Sequence, residues 1–338
     1  MEHRAGIPGS GASARDLLSG DRSVGAPATV WPSAWRTSGA RGLMPRREIV
    51  LGAGAFDTPQ LLQLSGVGPA VHLRSVGIDP LVDSPQVGHN LTDHPATLMN
   101  WEPASGFIGL ADARNPKWLL RWLFRRTGKL TSNLMEAVAH IGSAPGLAAP
   151  AFHLIHALIY ARIDEMSYPR PALSILQSSW TPESRGSVMV RSPDAAVPPA
   201  IQLNTVTAPA DPDALVRAIR FTREIVATEP LASATALEIQ PGPDVNTDAE
   251  LKAWIRATVA TTGHPACSAA VGTDPNSVLD HQLRVRGVAG LRVADAFALP
   301  RPTPMPRRSW SASAARTSCS EPVDNFLSRV GPVASCHP

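Results

Sequence analysis

Within the stretch Gly263 to Pro300, GHPACSAAVGTDPNSVLDHQLRVRGVAGLRVADAFALP, a histidine stands at the start and a carboxylate near the end of a β-like segment. An imidazole such as that of His264 can take up a proton near neutral pH. A carboxylate such as that of Asp295, at a strand end where the chain would meet a ligand, can orient polar groups there or simply cap the strand. The residues by themselves leave two roles open for His264: a hydrogen-bonded structural histidine, or a proton acceptor beside a redox cofactor that takes the electrons. A serine hydrolase is disfavoured, because Ser65 lies in LSGVG and Ser10 in PGSGA and neither forms a GxSxG elbow.

Other polar groups gather in SPQVGHNLTDHP, which holds His89, Asn90, Asp93 and His94. Two histidines flanking an aspartate could ligate a metal, but Pro95 and the loop composition favour a local turn network. Cys267, Cys319 and Cys336 show no CxxC spacing, so neither a disulfide framework nor a zinc site is expected, and no metal is assigned.

These groups need elements to hold them. Arg47 to Leu51 reads as a buried strand entering the turn Gly52-Ala53-Gly54. A lone GxG there is a weak dinucleotide signal, since Asp57 replaces the third glycine and would repel a pyrophosphate. The following helix is expected to be capped by Asp57 or Thr58, to carry Pro59 in its first turn, to turn Leu61, Leu62 and Leu64 inward and to stop at Gly66. A short helix over 69–76 and a strand over 78–82 come next. KWLLRWLFRR, 117–126, has the pattern of a membrane-surface helix, but at this length a surface helix docked on the core is expected.

From Leu173 the pattern is β: ALSILQSSW, SRGSVMVRS and PAIQLNTV read as antiparallel strands. An amphipathic helix opens at Asp211 and presents Leu215, Ile219, Thr222 and Val226 on one face. Thr247-Asp248-Ala249-Glu250 is a capping box, and its helix is expected to run up to His264. The helix C-terminus would favour a cation at His264, and burial would oppose it and keep the imidazole a free base.

The 338 residues, 43% hydrophobic and 17% charged, suit a globular protein with a full core. A pI near 9.0 raises the possibility of nucleic acid, but the positive charge sits at the ends. Residues 1–47 carry seven Arg and three acids, residues 301–338 five Arg and two acids, and the body between them 19 bases and 23 acids. No basic and aromatic residues interleave in those ends, so no nucleic-acid partner is expected. No apolar run approaches the ~20 residues of a membrane span and no signal-peptide core is present, so a cytoplasmic protein without a transmembrane segment is expected. Oligomeric state is unreadable.

Ala55 to Gly68, AFDTPQLLQLSGVG, resembles the second signature of the glucose-methanol-choline (GMC) family of FAD-dependent oxidoreductases, S/T-P-x-x-L-L-x-x-S-G-I/V-G. VGHNLTDHP, GKLTSNLMEA (Gly128 to Ala137), SRGSVMVRSPD (Ser184 to Asp194) and QPGPDVNTDAEL (Gln240 to Leu251) follow in the family's order, and the stretch from Gly263 is similar to its C-terminal block. The resemblance covers about residues 46–300. It implies an α/β (α+β) fold: the remnant of a doubly wound FAD-binding domain, 46–100 with 262–300, plus a substrate domain, 101–261, with an antiparallel sheet flanked by helices. It further implies FAD as cofactor, a small-molecule alcohol as substrate and an aldehyde or ketone as product. His264 would be the catalytic base, and Asp295, Ala296, Thr58 and Pro59 would approach the flavin.

Three departures accompany the resemblance. Ala269 and Ala270 stand where the family commonly has polar or basic residues. Residues 1–45, rich in Gly, Ala, Ser, Pro and Arg, contain no strand–GxGxxG–helix unit to cradle the FAD diphosphate and read as a poorly ordered tail. Residues 301–338 lack the family's second catalytic residue. Suitable codons for the residues from Pro302 onward, read in a shifted register, give HTNAPSVMVGE, so a frameshift near Arg301 to Pro302 is expected. An inactive relative that keeps only the substrate-domain fold is the alternative to a working enzyme.

Overall fold

The computed structural model describes residues 48–105, 110, 113, 115–133, 135, 137–142, 151–157, 171–295 and 298, and the backbone of the short pairs 28–29, 35–36 and 42–43. Apart from those pairs, the expected tails 1–45 and 301–338 lie outside the described residues, as does Ala296.

One antiparallel sheet runs in the order Thr235–Gln240, Pro95–Pro103, Leu173–Ser179, Phe152–Ala157, Ala137–Ile141, and Ala260–Thr261 also pairs with the start of Pro95–Pro103. Side chains alternate between the faces of a strand, so the register sorts the residues. Met99 stands opposite Ile175, Thr97 opposite Gln177 and Gln177 opposite Leu154. This face meets two helices, Ala210–Val226 and Asp248–Thr258, and its core joins Met99, Trp101, Leu154, Leu173 and Ile175 to Leu215, Val216, Ile219, Val226, Leu251 and Ile255. All four residues predicted to line the first of these helices are buried. The capping box of the second is complete, with Thr247 Oγ1 accepting from Glu250 N–H and Glu250 accepting from Thr247 N–H. The opposite face carries Ala96 beside Ser178, Ser178 beside His153 and His153 beside His140, so His140 and His153 lie on it.

A second core surrounds a short parallel pair, Ile49–Leu51 with Leu291–Val293. Leu51, Leu62, Val67, Val87, Leu279, Val285 and Val293 pack there. The predicted strand at 47–51 therefore exists, although only Leu51 of the three strand residues is buried. The helix that follows spans Gly54–Leu64, and neither Asp57 nor Thr58 caps it. Its first turn is held from outside by Asp295, so the helix starts earlier and Pro59 falls inside it. Pro59 has no N–H for the Ala55 carbonyl, which instead receives Ser268 Oγ at 3.5 Å. Gly66 ends the helix at φ +82°, where a Cβ would lie 2.9 Å from the Asp79 carbonyl oxygen. The short second helix spans Ala70–Ser75, but the strand expected over 78–82 is confined to Val82–Asp83, because Ile78 N–H turns back to the Leu73 carbonyl and its side chain joins the core.

Gln63 ties this core to a three-stranded sheet of His89–Leu91, Gly186–Met189 and Ala200–Gln202. It is fully buried, donates to Val188 O at 2.9 Å and accepts from Val190 N–H at 3.2 Å. A further correction concerns the helix Pro116–Arg125. It was expected to dock on the core, yet none of its residues is buried. It rests on its own C-terminal turn, where a Cβ on Gly128 would come within 3.2 Å of Trp118.

Candidate active site

Two constellations account for His264, Asp295, Thr58 and Pro59, the predicted site residues that are described. In the first, Asp295 follows the strand Leu291–Val293 and reaches the start of the helix Gly54–Leu64. Its Oδ2 accepts from Gly54 N–H at 3.0 Å and from Thr58 Oγ1 at 2.7 Å. The Thr58 hydroxyl, fully buried, also accepts from Ala53 N–H at 3.2 Å. A carboxylate here complements the partial positive charge of a helix N-terminus. Pro59, next to Thr58, is buried. Ideal Cβ atoms on Gly54, at φ +87°, and on Gly263, at φ +77°, would meet nothing within 4 Å, so both backbones face open space into which a flat group could come close.

In the second, His264 stands beside Asp93 and His94. Asp93 Oδ1 accepts from His94 N–H at 2.7 Å and from His264 N–H at 3.0 Å, so one carboxylate fixes the main chain of both histidines. His264 Nδ1 lies 3.1 Å from Thr262 Oγ1. The strand Ala260–Thr261 separates His264 from the preceding helix, which ends at Thr258, and His264 is exposed. Both the expected helix-end position and the expected burial are therefore corrected: the chain leaves the helix to pair with Pro95–Ala96, and this pairing carries His264 to the edge of the sheet.

The histidines extend into an aromatic array that the sequence did not disclose. The His94 ring meets His264 edge-on at 5.7 Å and stacks on Trp180 at 6.0 Å. His140 and His153 stack at 4.9 Å, and both approach Trp180 edge-on, at 4.9 and 5.5 Å. Burial lowers the pKa of His94; Asp93 and a hydrogen bond to the Ser179 backbone work against this, and His264 adds to it. Burial also lowers the pKa of His153, together with His140, His94 and His264. Among the described residues, His94 Nδ1, Thr92 Oγ1 and Ser178 Oγ are buried with no hydrogen-bond partner.

Among the described residues no group of three or more His, Cys, Asp or Glu is arranged to hold a metal ion. The His89–His94 loop, expected as a local turn network, instead supplies the strand His89–Leu91 and sends Asp93 and His94 to His264. The segment from Ala266 to Ser268 links the two constellations: Ala266 pairs with Thr92, and Ser268 reaches Ala55.

The GMC oxidoreductase models match residues 32–96 and 182–307, so Thr58 and Pro59 fall in the first match and His264 and Asp295 in the second. The chain is 38% identical over 266 residues to an oxygen-dependent choline dehydrogenase of Staphylococcus haemolyticus, covering 76% of this chain and 46% of the relative. It is 36% identical over 271 residues to the oxygen-dependent choline dehydrogenase of Sinorhizobium fredii, covering 76% of this chain and 48% of that protein. It thus spans about half the length of the curated relatives it matches. Among solved structures it resembles pyridoxine 4-oxidase from Mesorbium loti, with a TM-score of 0.64 at 27% identity over 75% of this chain and 47% of that one. It also resembles the formate oxidase of Aspergillus oryzae, studied for modification of its FAD, with a TM-score of 0.73 at 25% identity over 86% of this chain and 56% of that one. Over these matched segments the chain belongs to the GMC oxidoreductase family.

Proposed function

We propose that this chain serves the FAD-dependent oxidation of a small-molecule alcohol to an aldehyde or ketone in the cytoplasm, with His264 accepting the hydroxyl proton. Family membership and relatives named as choline dehydrogenases support this reading. The observation that carries it is the setting of His264, exposed to an incoming molecule while Asp93 and Thr262 hold its backbone and its Nδ1.

With Nδ1–H donated to Thr262 Oγ1, Nε2 keeps its lone pair and can receive the hydroxyl proton. Asp93 keeps the histidine in place during the transfer. Burial, joined by the neighbouring imidazoles, disfavours a proton on His94 and His153. FAD, when bound, supplies the acceptor for the hydride that leaves the carbinol carbon. Asp295, Thr58, Pro59 and the open backbone at Gly54 are the residues that would hold it, together with Ala296.

Two measurements test this. Titration with FAD, followed by flavin fluorescence and visible absorbance, reads cofactor binding, and anaerobic bleaching on addition of choline and then of other alcohols reads the reaction. The expected result is bound FAD bleached by an alcohol, and bleaching slowed about 10²–10⁴-fold in His264→Ala at equal flavin content. Protein that stays colourless after FAD is added overturns the reading and leaves the inactive relative.

A further inference from the structure

Resting on the alcohol oxidation proposed above, we infer that the site takes an uncharged alcohol with an extended apolar body, which lies along a row of aliphatic side chains on the histidine-bearing face of the sheet. Strand register lays this face out in rows. His140, His153, Ser178 and Ala96 stand side by side across four strands. Two residues along each strand from these, Val138, Ile155, Leu176 and Leu98 form the next row. Leu98, Ile155 and Leu176 are half-buried and Val138 is 51% exposed, and none of the four joins the hydrophobic cores found among the described residues. Beyond them the Ser174 hydroxyl donates to Asn100 Oδ1, and Asn100 Nδ2 donates to Gln240 Oε1 at 3.2 Å, so a polar row ends the apolar strip.

The distance from the base sets the length of the body. His94, whose ring meets that of His264, precedes Leu98 by four residues of nearly extended chain, which at ~3.3 Å per residue is about 13 Å. Subtracting the ~4 Å of a van der Waals contact leaves about 9 Å, or roughly seven carbon–carbon bonds of an extended chain. An alcohol held at His264 touches the aliphatic row when its body has this length, whereas a two-carbon alcohol stops among the imidazoles. Charge points the same way. Among the described residues these two rows contain no Asp, Glu, Lys or Arg. Asp93 Oδ1 already accepts from the N–H groups of His94 and His264, and the Trp180 ring already meets three imidazoles. A quaternary ammonium seated here would lose its water without gaining a counter-charge, so the site favours an uncharged alcohol over choline.

Anaerobic bleaching of the FAD-loaded full chain by ethanol, 1-butanol, 1-hexanol, 1-octanol and choline tests the inference, and saturation-transfer NMR reads the binding of 1-octanol apart from any reaction. The second-order bleaching rate should rise about threefold per added CH2 up to 1-octanol, and choline should react more slowly than 1-octanol. This series needs no variant. Ile155→Thr with Leu176→Asn nearly keeps the shapes of both side chains and should lower the ratio of the 1-octanol to the ethanol rate by about tenfold or more, with loss of the 1-octanol NMR signal; Leu176→Met should keep both. Rates independent of chain length, faster bleaching by choline, or an unchanged ratio in the double variant overturns the inference and leaves the oxidation standing. If FAD does not bind or no alcohol bleaches it, the oxidation fails instead, and the 1-octanol signal decides the aliphatic row. A signal in the parent that the double variant loses supports the row as an apolar wall, and a signal absent from the parent or retained by the variant overturns it.

Discussion

The Thr58 hydroxyl donates to the Asp295 carboxylate at 2.7 Å across 237 residues of sequence. One side chain lies in the helix Gly54–Leu64 and the other just beyond the strand Leu291–Val293, and this bond ties the two elements together. The same Oδ2 accepts from Gly54 N–H, so a single oxygen organises the helix start on which the proposed flavin contacts depend.

Thr58→Val keeps the shape of this side chain and removes its oxygen. It deprives Asp295 of a donor and leaves the Ala53 N–H without its acceptor. A loss of about 1–2 kcal/mol in urea-unfolding free energy is expected, with weaker retention of FAD by the same variant. Equal stability of Thr58→Val and the parent would show that the bond adds nothing to the folded chain.

Acidification should destabilise the protein through the histidine array. The pKa of His94 is lowered from 6.5, chiefly by burial. The unfolded chain therefore takes up a proton near 6.5, and the folded chain only at lower pH, so unfolding binds protons in that interval. Stability is full above 6.5 and falls as the pH drops towards the folded-state value. His153, lowered in the same direction, adds to the slope. Chemical denaturation across this range should show the decline, and it should be shallower in His94→Gln. A parent protein with flat stability over the interval would refute the account.

Asp211 is expected to be a sensitive position in the helix Ala210–Val226. It is 2% exposed and accepts from Glu183 N–H at 2.7 Å, from Ser184 N–H at 2.9 Å and from the Ser184 hydroxyl. Asp211→Ala strands these buried donors and should cost about 2–4 kcal/mol; Asp211→Asn, which keeps one acceptor oxygen, should cost less. Guanidinium unfolding of the two variants measures the difference, and a fully stable Asp211→Ala would contradict the assigned role.

Local pattern made several elements legible. The buried face of Leu215, Ile219, Thr222 and Val226, the Thr247–Glu250 capping box and the stop at Gly66 each depend on residues within a few positions of one another, and each is present as expected. Asp211 marks where such reading ends. It stands in the first turn of its helix, as predicted, but makes no cap there and spends its oxygens on residues 27 and 28 positions away. Thr58 departs in the same way: its spacing suits a cap, yet a strand end far along the chain takes its hydroxyl.

By itself the sequence determined the family signatures, the amphipathic helices and the candidacy of His264 and Asp295, because these rest on residue type and short spacing. Only the tertiary structure decided that Asp93 fixes His264, that His94, His140, His153 and Trp180 stand in one array with it, and that no residue of the helix Pro116–Arg125 is buried. The physical reason is strand register and the path of the chain. His140 meets His153 because their strands pair at that residue, and a shift of one position would send either ring to the helix-covered face.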